Sequence, residues 1–79
     1  MSRFLLFTAR AEALAVSTAP TGAVLDRSRA DAAIRDAVRA YGVRGCSAAV
    51  AYEYGEHPDV AARRMRWALG IVAELYGNP

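Results

Sequence analysis

The sequence predicts an all-α fold, a domain of three to four helices that contains a helix-turn-helix. Two observations support this prediction. Apolar residues recur at the spacing of a helix along most of the chain. Short breaks that contain glycine or proline, at residues 18–22, at Gly42 and at Gly55, divide these periodic segments into helices of ordinary length.

The length allows one small domain, residues 1–79, and no more. We expect residues 1–25 to form an N-terminal helix and linker, and residues 26–79 to form the helix-turn-helix core. More than half of the residues are apolar, which argues against intrinsic disorder. A domain of this size buries only roughly 60–65% of its unfolded surface, so a second subunit or another partner would add stability.

The composition indicates where the protein works. The chain contains 18 alanines, ten arginines and no lysine, a bias typical of a GC-rich bacterial or phage genome. Cys46 is the only cysteine, so no intrachain disulfide or cysteine zinc cluster can form, and a reducing compartment fits. The apolar run Phe4–Phe7 is too short for a signal peptide, and no segment reaches the roughly 20 residues that span a bilayer. We therefore expect a cytoplasmic protein without a membrane partner.

The first helix is expected over residues 3–17. A strand over Phe4–Ala9 is the competing interpretation, because the apolar run is short. Residues 18–22 contain proline and glycine and indicate a linker. The apolar residues of the predicted helix follow one face: Phe4, Phe7, Ala11, Leu14 and Ala15.

The second helix is expected over residues 28–41. It begins near Asp26 or Ser28, whose side chains are suited to cap a helix N-terminus. Gly42 ends it, because glycine readily adopts the left-handed conformation of a helix C-terminus. Its inner face consists of Ala30, Ala33, Ile34, Ala37, Val38 and Tyr41.

The third and fourth helices are expected over residues 47–54 and 58–76. Gly55 ends the third helix. Pro58 suits the first turn of the fourth, because its missing N–H would have no partner there. Gly77 stops the last helix.

Residues 43–68 have the chemistry that a helix-turn-helix requires. The first helix of that motif must end sharply, which favours glycine, and a small residue must lie one turn earlier, where the two helices touch. Gly55 and Ala51 meet these requirements. Val50 and Tyr54 are the apolar residues that flank the predicted contact, and Ala61 and Met65 are expected to point back toward the first helix of the pair.

The same segment resembles the helix-turn-helix of sigma factor region four. Residues 50–55, Val-Ala-Tyr-Glu-Tyr-Gly, are similar to the family pattern I-A-x-x-L-G. Residues 63–68, Arg-Arg-Met-Arg-Trp-Ala, are similar to S-R-L-R-R-A at the same spacing. The resemblance covers about 25 of the 79 residues and no other sigma-factor region is present, so it implies a stand-alone DNA-binding module. It also implies that the helix from Pro58 reads double-stranded DNA through His57, Asp59, Ala62, Arg63, Arg64 and Arg66.

The sequence offers little for other chemistry. Glu53, Glu56, His57 and Asp59 crowd together, but no His or Cys pair lies at metal-ligand spacing, so a capping or surface role for His57 is preferred. Cys46 has no adjacent base that could activate it as a nucleophile. We therefore expect no metal, no cofactor and no enzymatic activity.

The last predicted helix has apolar residues on two faces. Val60, Trp67 and Ile71 lie opposite the side of Met65 and Val72. They are predicted to form an interface, covered either by a second subunit or by the N-terminal segment.

The sequence therefore favours a sequence-specific DNA-binding protein, a small dimeric transcriptional regulator. The alternative is a protein-interaction module that uses the Trp67 face without binding DNA. Such a module would act as an adaptor or as an inhibitor of another transcription protein.

Overall fold

The computed structural model describes residues 2–79 as three helices joined by a linker and a tight turn. Helix α1 spans Arg3–Val16, α2 spans Arg27–Glu56 and α3 spans Pro58–Tyr76. No strand occurs within residues 2–79, which confirms the all-α prediction and makes α1 a helix rather than a strand. Met1, the first residue of the predicted domain, lies outside the described residues.

Local hydrogen bonds explain where α1 and α2 begin. The Ser2 hydroxyl accepts from the Leu5 backbone N–H at 3.1 Å, and Asp26 Oδ1 accepts from the Arg29 backbone N–H at 2.8 Å. Each of these caps satisfies an N–H that the first turn of a helix leaves without a partner. Asp26 was one of the two expected starting points of the second helix.

Helix α2 bends at Gly42, which has φ 72° and ψ 168°. A side chain is strongly disfavoured in that conformation, so glycine is needed there. The bend divides α2 into a first arm, residues 27–41, and a second arm, residues 43–56. The two arms correspond to the second and third predicted helices. The second arm extends further than expected, because Gly55 keeps a negative φ and the helix continues to Glu56.

The core is small and rich in alanine. One cluster joins α1 to α3 through Ala11, Leu14, Ala68 and Val72, with partly buried Ala33 and Ile34 of the first arm packed against it. A second cluster joins α1 to both arms of α2 and consists of Ala13, Ala37 and Cys46. Small side chains allow the helices to approach closely where they cross.

The predicted inner face of α2 is confirmed with one exception. Ala30 and Ala37 are buried, and the other apolar members are partly buried. Tyr41, the last residue before the bend, is instead 57% exposed.

Arg64, a residue of α3, holds the linker that joins α1 to α2. Its Nε donates to the Ala15 carbonyl at 2.6 Å, and its Nη2 donates to the Ser17 and Ala19 carbonyls at 2.8 and 2.7 Å. Its Nη1 donates to Thr21 Oγ1 at 2.9 Å. We call these four hydrogen bonds the Arg64 clasp. Partial burial lowers the pKa of this guanidinium, but the group stays charged because an arginine pKa starts far above neutrality.

Tyr76 joins the end of α3 to the other two helices. Its ring lies between the guanidinium groups of Arg10 and Arg27, whose Cζ atoms are 4.3 and 4.1 Å from the ring centroid. Its hydroxyl donates a hydrogen bond to Asp31 Oδ1. Burial, reinforced by the hydrogen bond to Asp31, raises the pKa of Tyr76 to about 12. The same hydrogen bond lowers the pKa of Asp31 below its ordinary value.

We expect Tyr76 to ionise well above the ordinary tyrosine range. Its contribution to stability should be complete below pH 10 and be lost as the pH rises from about 10 to about 12, because the folded state holds the proton more tightly than the unfolded state. A spectrophotometric titration of the tyrosines should therefore show one late transition. Tyr76→Phe should remove it, and Asp31→Asn should move it to lower pH. A late transition that persists in Tyr76→Phe would contradict the assignment.

Candidate interaction surface

The end of α2, the turn at His57 and the start of α3 form the longest run of exposed residues within the described range 2–79. Every residue from 51 to 60 is exposed, and we call this segment the exposed corner. Ala51 and Tyr54 were expected in the contact between two helices of a helix-turn-helix, but both face solvent. The reason is that the second arm packs through Cys46 into a cluster that contains no α3 residue, whereas α3 packs on α1 and the first arm.

The six residues predicted to approach DNA have different environments. His57 ends α2 and precedes α3 without a capping hydrogen bond from its side chain, and Asp59 lies in the first turn of α3. Arg63 and Arg66 are exposed, and Ala62 is partly buried. Arg64 points away from this surface and binds the linker through the Arg64 clasp.

The predicted interface residues are also separated by the fold. Val60 is exposed, but Trp67 and Ile71 are partly buried against the first core cluster. The indole N–H of Trp67 donates to the Ala23 carbonyl at 3.0 Å. Of the two covers expected for this face, a second subunit or the N-terminal segment, the structure shows the N-terminal segment at Trp67, because the linker folds back over this side of α3.

The exposed corner differs in charge from the rest of the chain. It contains three carboxylates, Glu53, Glu56 and Asp59, and no arginine, so its formal charge is −3. The remaining residues contain ten arginines and five carboxylates, which leaves +5 elsewhere. Tyr52 and Tyr54 add two exposed aromatic rings to the corner. The crowding of its acidic residues is visible in the sequence, but their common exposure is not.

A cleft of about 370 Å³ opens beside the exposed corner, at the bend of α2. Tyr41 of the first arm and Tyr52 of the second arm both line it, together with Glu53. We call it the Tyr41–Tyr52 cleft. Its other lining residues are Ala15, Val16, Ala49, Val50 and Arg64. The sequence gives no hint of this pairing, because the two tyrosines are brought to one cleft only by the Gly42 bend.

Hydrogen bonding orders two of the groups that line the cleft and leaves a third available. The Tyr52 hydroxyl donates to Glu56 Oε1 at 3.2 Å, which restrains the ring. The Arg64 clasp uses four of the five N–H groups of that guanidinium. Within residues 2–79, Glu53 forms no ion pair, even though Arg64 lines the same cleft.

Gly45 allows the second arm to pass close to Tyr41. A Cβ atom at Gly45 would lie 3.1 Å from the Tyr41 Cβ, which is closer than ordinary packing allows. A side chain at this position would therefore require Tyr41 or the second arm to shift by a few tenths of an ångström. This requirement is distinct from that of Gly42, where the space is open and the backbone conformation alone demands glycine.

Other kinds of site find little support in the part of the chain that the structure describes. No three His, Cys, Asp or Glu side chains within residues 2–79 are grouped so that they could hold a metal ion. None of the helices in this range combines the length and the apolar character needed to span a bilayer. Comparison with known proteins gives no match, whether with protein families, with curated proteins or with solved structures.

Proposed function

We propose that the protein is a small protein-interaction module that binds a partner with a basic surface at the exposed corner. The observation that carries this proposal is the corner itself: ten consecutive exposed residues with three carboxylates and two tyrosines in a chain that is otherwise rich in arginine. No enzymatic role is part of the proposal.

The chemistry of the corner suits a protein partner. Tyrosine provides a large contact area with little loss of side-chain entropy, and aromatic residues are enriched at protein interfaces. Exposed Tyr52, Tyr54 and Val60 supply such an area. Carboxylates at the edge of an interface select partners of opposite charge and speed their encounter.

The proposal keeps the interaction module foreseen in the sequence but moves its surface. The Trp67 face is replaced by the exposed corner, because Trp67 contacts the linker of its own chain. We do not propose a homodimer through the Trp67 face, because the linker of the same chain covers Trp67.

Photocrosslinking in the producing cell tests the proposal. A photoreactive phenylalanine analogue at Tyr54 should form covalent adducts with a protein, whereas the same analogue at Glu74, an exposed residue of α3, should not. Charge reversal at Glu53, Glu56 and Asp59 should suppress the adducts, because a basic partner would then be repelled. Equal adducts at both positions, adducts with nucleic acid alone, or none at either position would contradict the proposal.

A second candidate function, sequence-specific DNA binding, rests on one observation. Arg63 and Arg66 are exposed one turn apart on α3, where they could reach a DNA groove together. The carboxylates of the exposed corner oppose this function, because they would lie near the phosphates.

If the protein binds DNA, the double change Arg63→Ala with Arg66→Ala should weaken specific binding. The expected loss is about 1–3 kcal/mol for each base contact removed. Titration with double-stranded DNA at two salt concentrations measures this loss, and binding through phosphates should weaken steeply at the higher salt concentration. An affinity that is unchanged in the double variant would eliminate the recognition-helix assignment.

A further inference from the structure

We infer that the Tyr41–Tyr52 cleft is a binding site for the guanidinium group of an arginine side chain on the partner protein. This inference rests on the proposed function and specifies the chemistry of the partner at one place. It differs from that function in assigning the cleft, rather than the surface of the corner, as the position that recognises a particular side chain.

The first argument is the combination of groups around the cleft. Two tyrosines and one carboxylate, Tyr41, Tyr52 and Glu53, line the same space. Cations bind favourably over the faces of aromatic rings, and arginine does so more often than lysine because its planar group also stacks. A carboxylate that also meets the guanidinium can accept two parallel hydrogen bonds from it.

The second argument is that these groups are not used within the chain. Tyr41 is 57% exposed and Tyr52 is 64% exposed, so both rings have area left for a partner. Tyr52 is nevertheless held by its hydrogen bond to Glu56, which reduces the cost of ordering the ring on binding. Glu53 forms no ion pair with any residue in the described range 2–79.

Arg64 also lines the cleft and would repel a cation if its charge were open to the space. Its guanidinium instead donates to the Ala15 carbonyl at the end of α1 and to three acceptors of the linker, the Ser17 and Ala19 carbonyls and the Thr21 hydroxyl. These four acceptors direct the positive group toward the linker and occupy most of the donors that an anionic ligand would need. The exposed corner, which includes Tyr52 and Glu53 of the cleft lining, has a formal charge of −3 and therefore favours a cation in the cleft.

The size of the cleft fits a side chain presented on a peptide. Its volume of about 370 Å³ falls in the range of roughly 300–1,000 Å³ that is typical of ligand pockets. Ala49 and Val50 supply apolar surface against which the methylene groups of an arginine can pack.

The test uses a capped pentapeptide with one arginine between alanines, and the same peptide with uncharged citrulline in place of arginine. Titration of the isotope-labelled protein, followed by NMR, should show saturable shifts at Tyr41, Tyr52 and Glu53 with the arginine peptide only. Tyr52→Leu should weaken binding about two- to fivefold, the loss expected for one exposed cation–π contact. Glu53→Gln should also weaken binding of the arginine peptide, and the loss should be larger at low salt concentration than at high salt concentration.

Matched controls are available on the same surface. Tyr54→Leu removes an exposed tyrosine two residues from Tyr52 that does not line the cleft, and it should leave the affinity unchanged. Glu74→Gln removes one exposed carboxylate on α3 and should also have no effect. The four substituted side chains, Tyr52, Glu53, Tyr54 and Glu74, are all exposed, so circular dichroism should show that the variants fold.

Three results would overturn the inference: no saturable shift with the arginine peptide, equal binding of the citrulline peptide, or equal losses in Tyr54→Leu and Tyr52→Leu. Sedimentation of the free protein provides a further arm. A dimer that dissociates in Tyr52→Leu would put a second copy of this chain in the cleft in place of a foreign partner. If the arginine peptide does not bind the cleft but photocrosslinks at Tyr54 persist, this inference fails while the proposed interaction function stands. Failure of the inference is therefore distinguishable from failure of the proposed function.

Discussion

Leu14→Ala is expected to lower the free energy of unfolding by about 3–5 kcal/mol. Leu14 is fully buried and is the largest such side chain in the described residues, and it belongs to the first core cluster, which joins α1 to α3 and to the first arm of α2. Truncation removes apolar burial and leaves a cavity, and cores of this kind relax only in part. Neighbouring alanines have no further side-chain atoms with which to fill the space.

The loss would be a large share of the total, because a domain of this length is typically stable by roughly 4–12 kcal/mol. Urea unfolding followed by circular dichroism measures it, and Leu5→Ala is the matched control because Leu5 is 57% exposed. The control should change the stability by less than about 1 kcal/mol. Similar losses at the two positions would mean that the buried cluster does not carry the stability of the fold.

Arg64→Met is expected to lower the free energy of unfolding by about 2–3 kcal/mol. Methionine keeps the apolar stem of the side chain but removes all four hydrogen bonds of the Arg64 clasp. Hydrogen bonds to charged groups contribute about 1.5–3 kcal/mol each when they are well buried. The expected total is smaller than their sum, because the linker is partly exposed and water can replace the guanidinium at its carbonyls.

The neighbouring change Arg63→Met is the control, because Arg63 is exposed and none of the hydrogen bonds of the clasp involves it. Arg64→Lys should give an intermediate result, since one ammonium group cannot reach acceptors spread over residues 15–21. Urea unfolding of the three variants, together with limited proteolysis of the linker, measures both stability and linker order. Equal midpoints for Arg64→Met and Arg63→Met would show that the clasp adds nothing to stability.

Much of the fold could be predicted from local sequence signals. Asp26, the glycine at the bend and Pro58 act through the backbone of their own neighbours, so their effects are visible in a few residues of sequence. The helical periodicity also identified the buried positions Leu14 and Val72. The fold class and the approximate positions of the helices followed from such signals, but the extension of α2 to Glu56 did not.

The surface was harder to predict, because it depends on how far apart the fold places segments that are close in sequence. The alanine and the glycine at residues 51 and 55 have the spacing of a helix-turn-helix, but the second arm and α3 pack on different partners. Arg64 offers the same lesson: its acceptors lie 43 to 49 residues earlier in the chain, so nothing near it in the sequence distinguishes it from Arg63. For the Trp67 face the sequence left two covers open, a second subunit or the N-terminal segment, because the path of the linker could not be foreseen.

The exposed corner has a consequence for the motions of the molecule. No residue between Cys46 and Ala68 is fully buried, so the last turns of α2 are held mainly by their own backbone hydrogen bonds. Segments of this kind open locally at a small fraction of the free energy needed to unfold the core. Their amide protons should exchange with solvent long before those around Leu14. We expect binding of a partner at the exposed corner to be recorded as slower exchange of the amide protons in these turns.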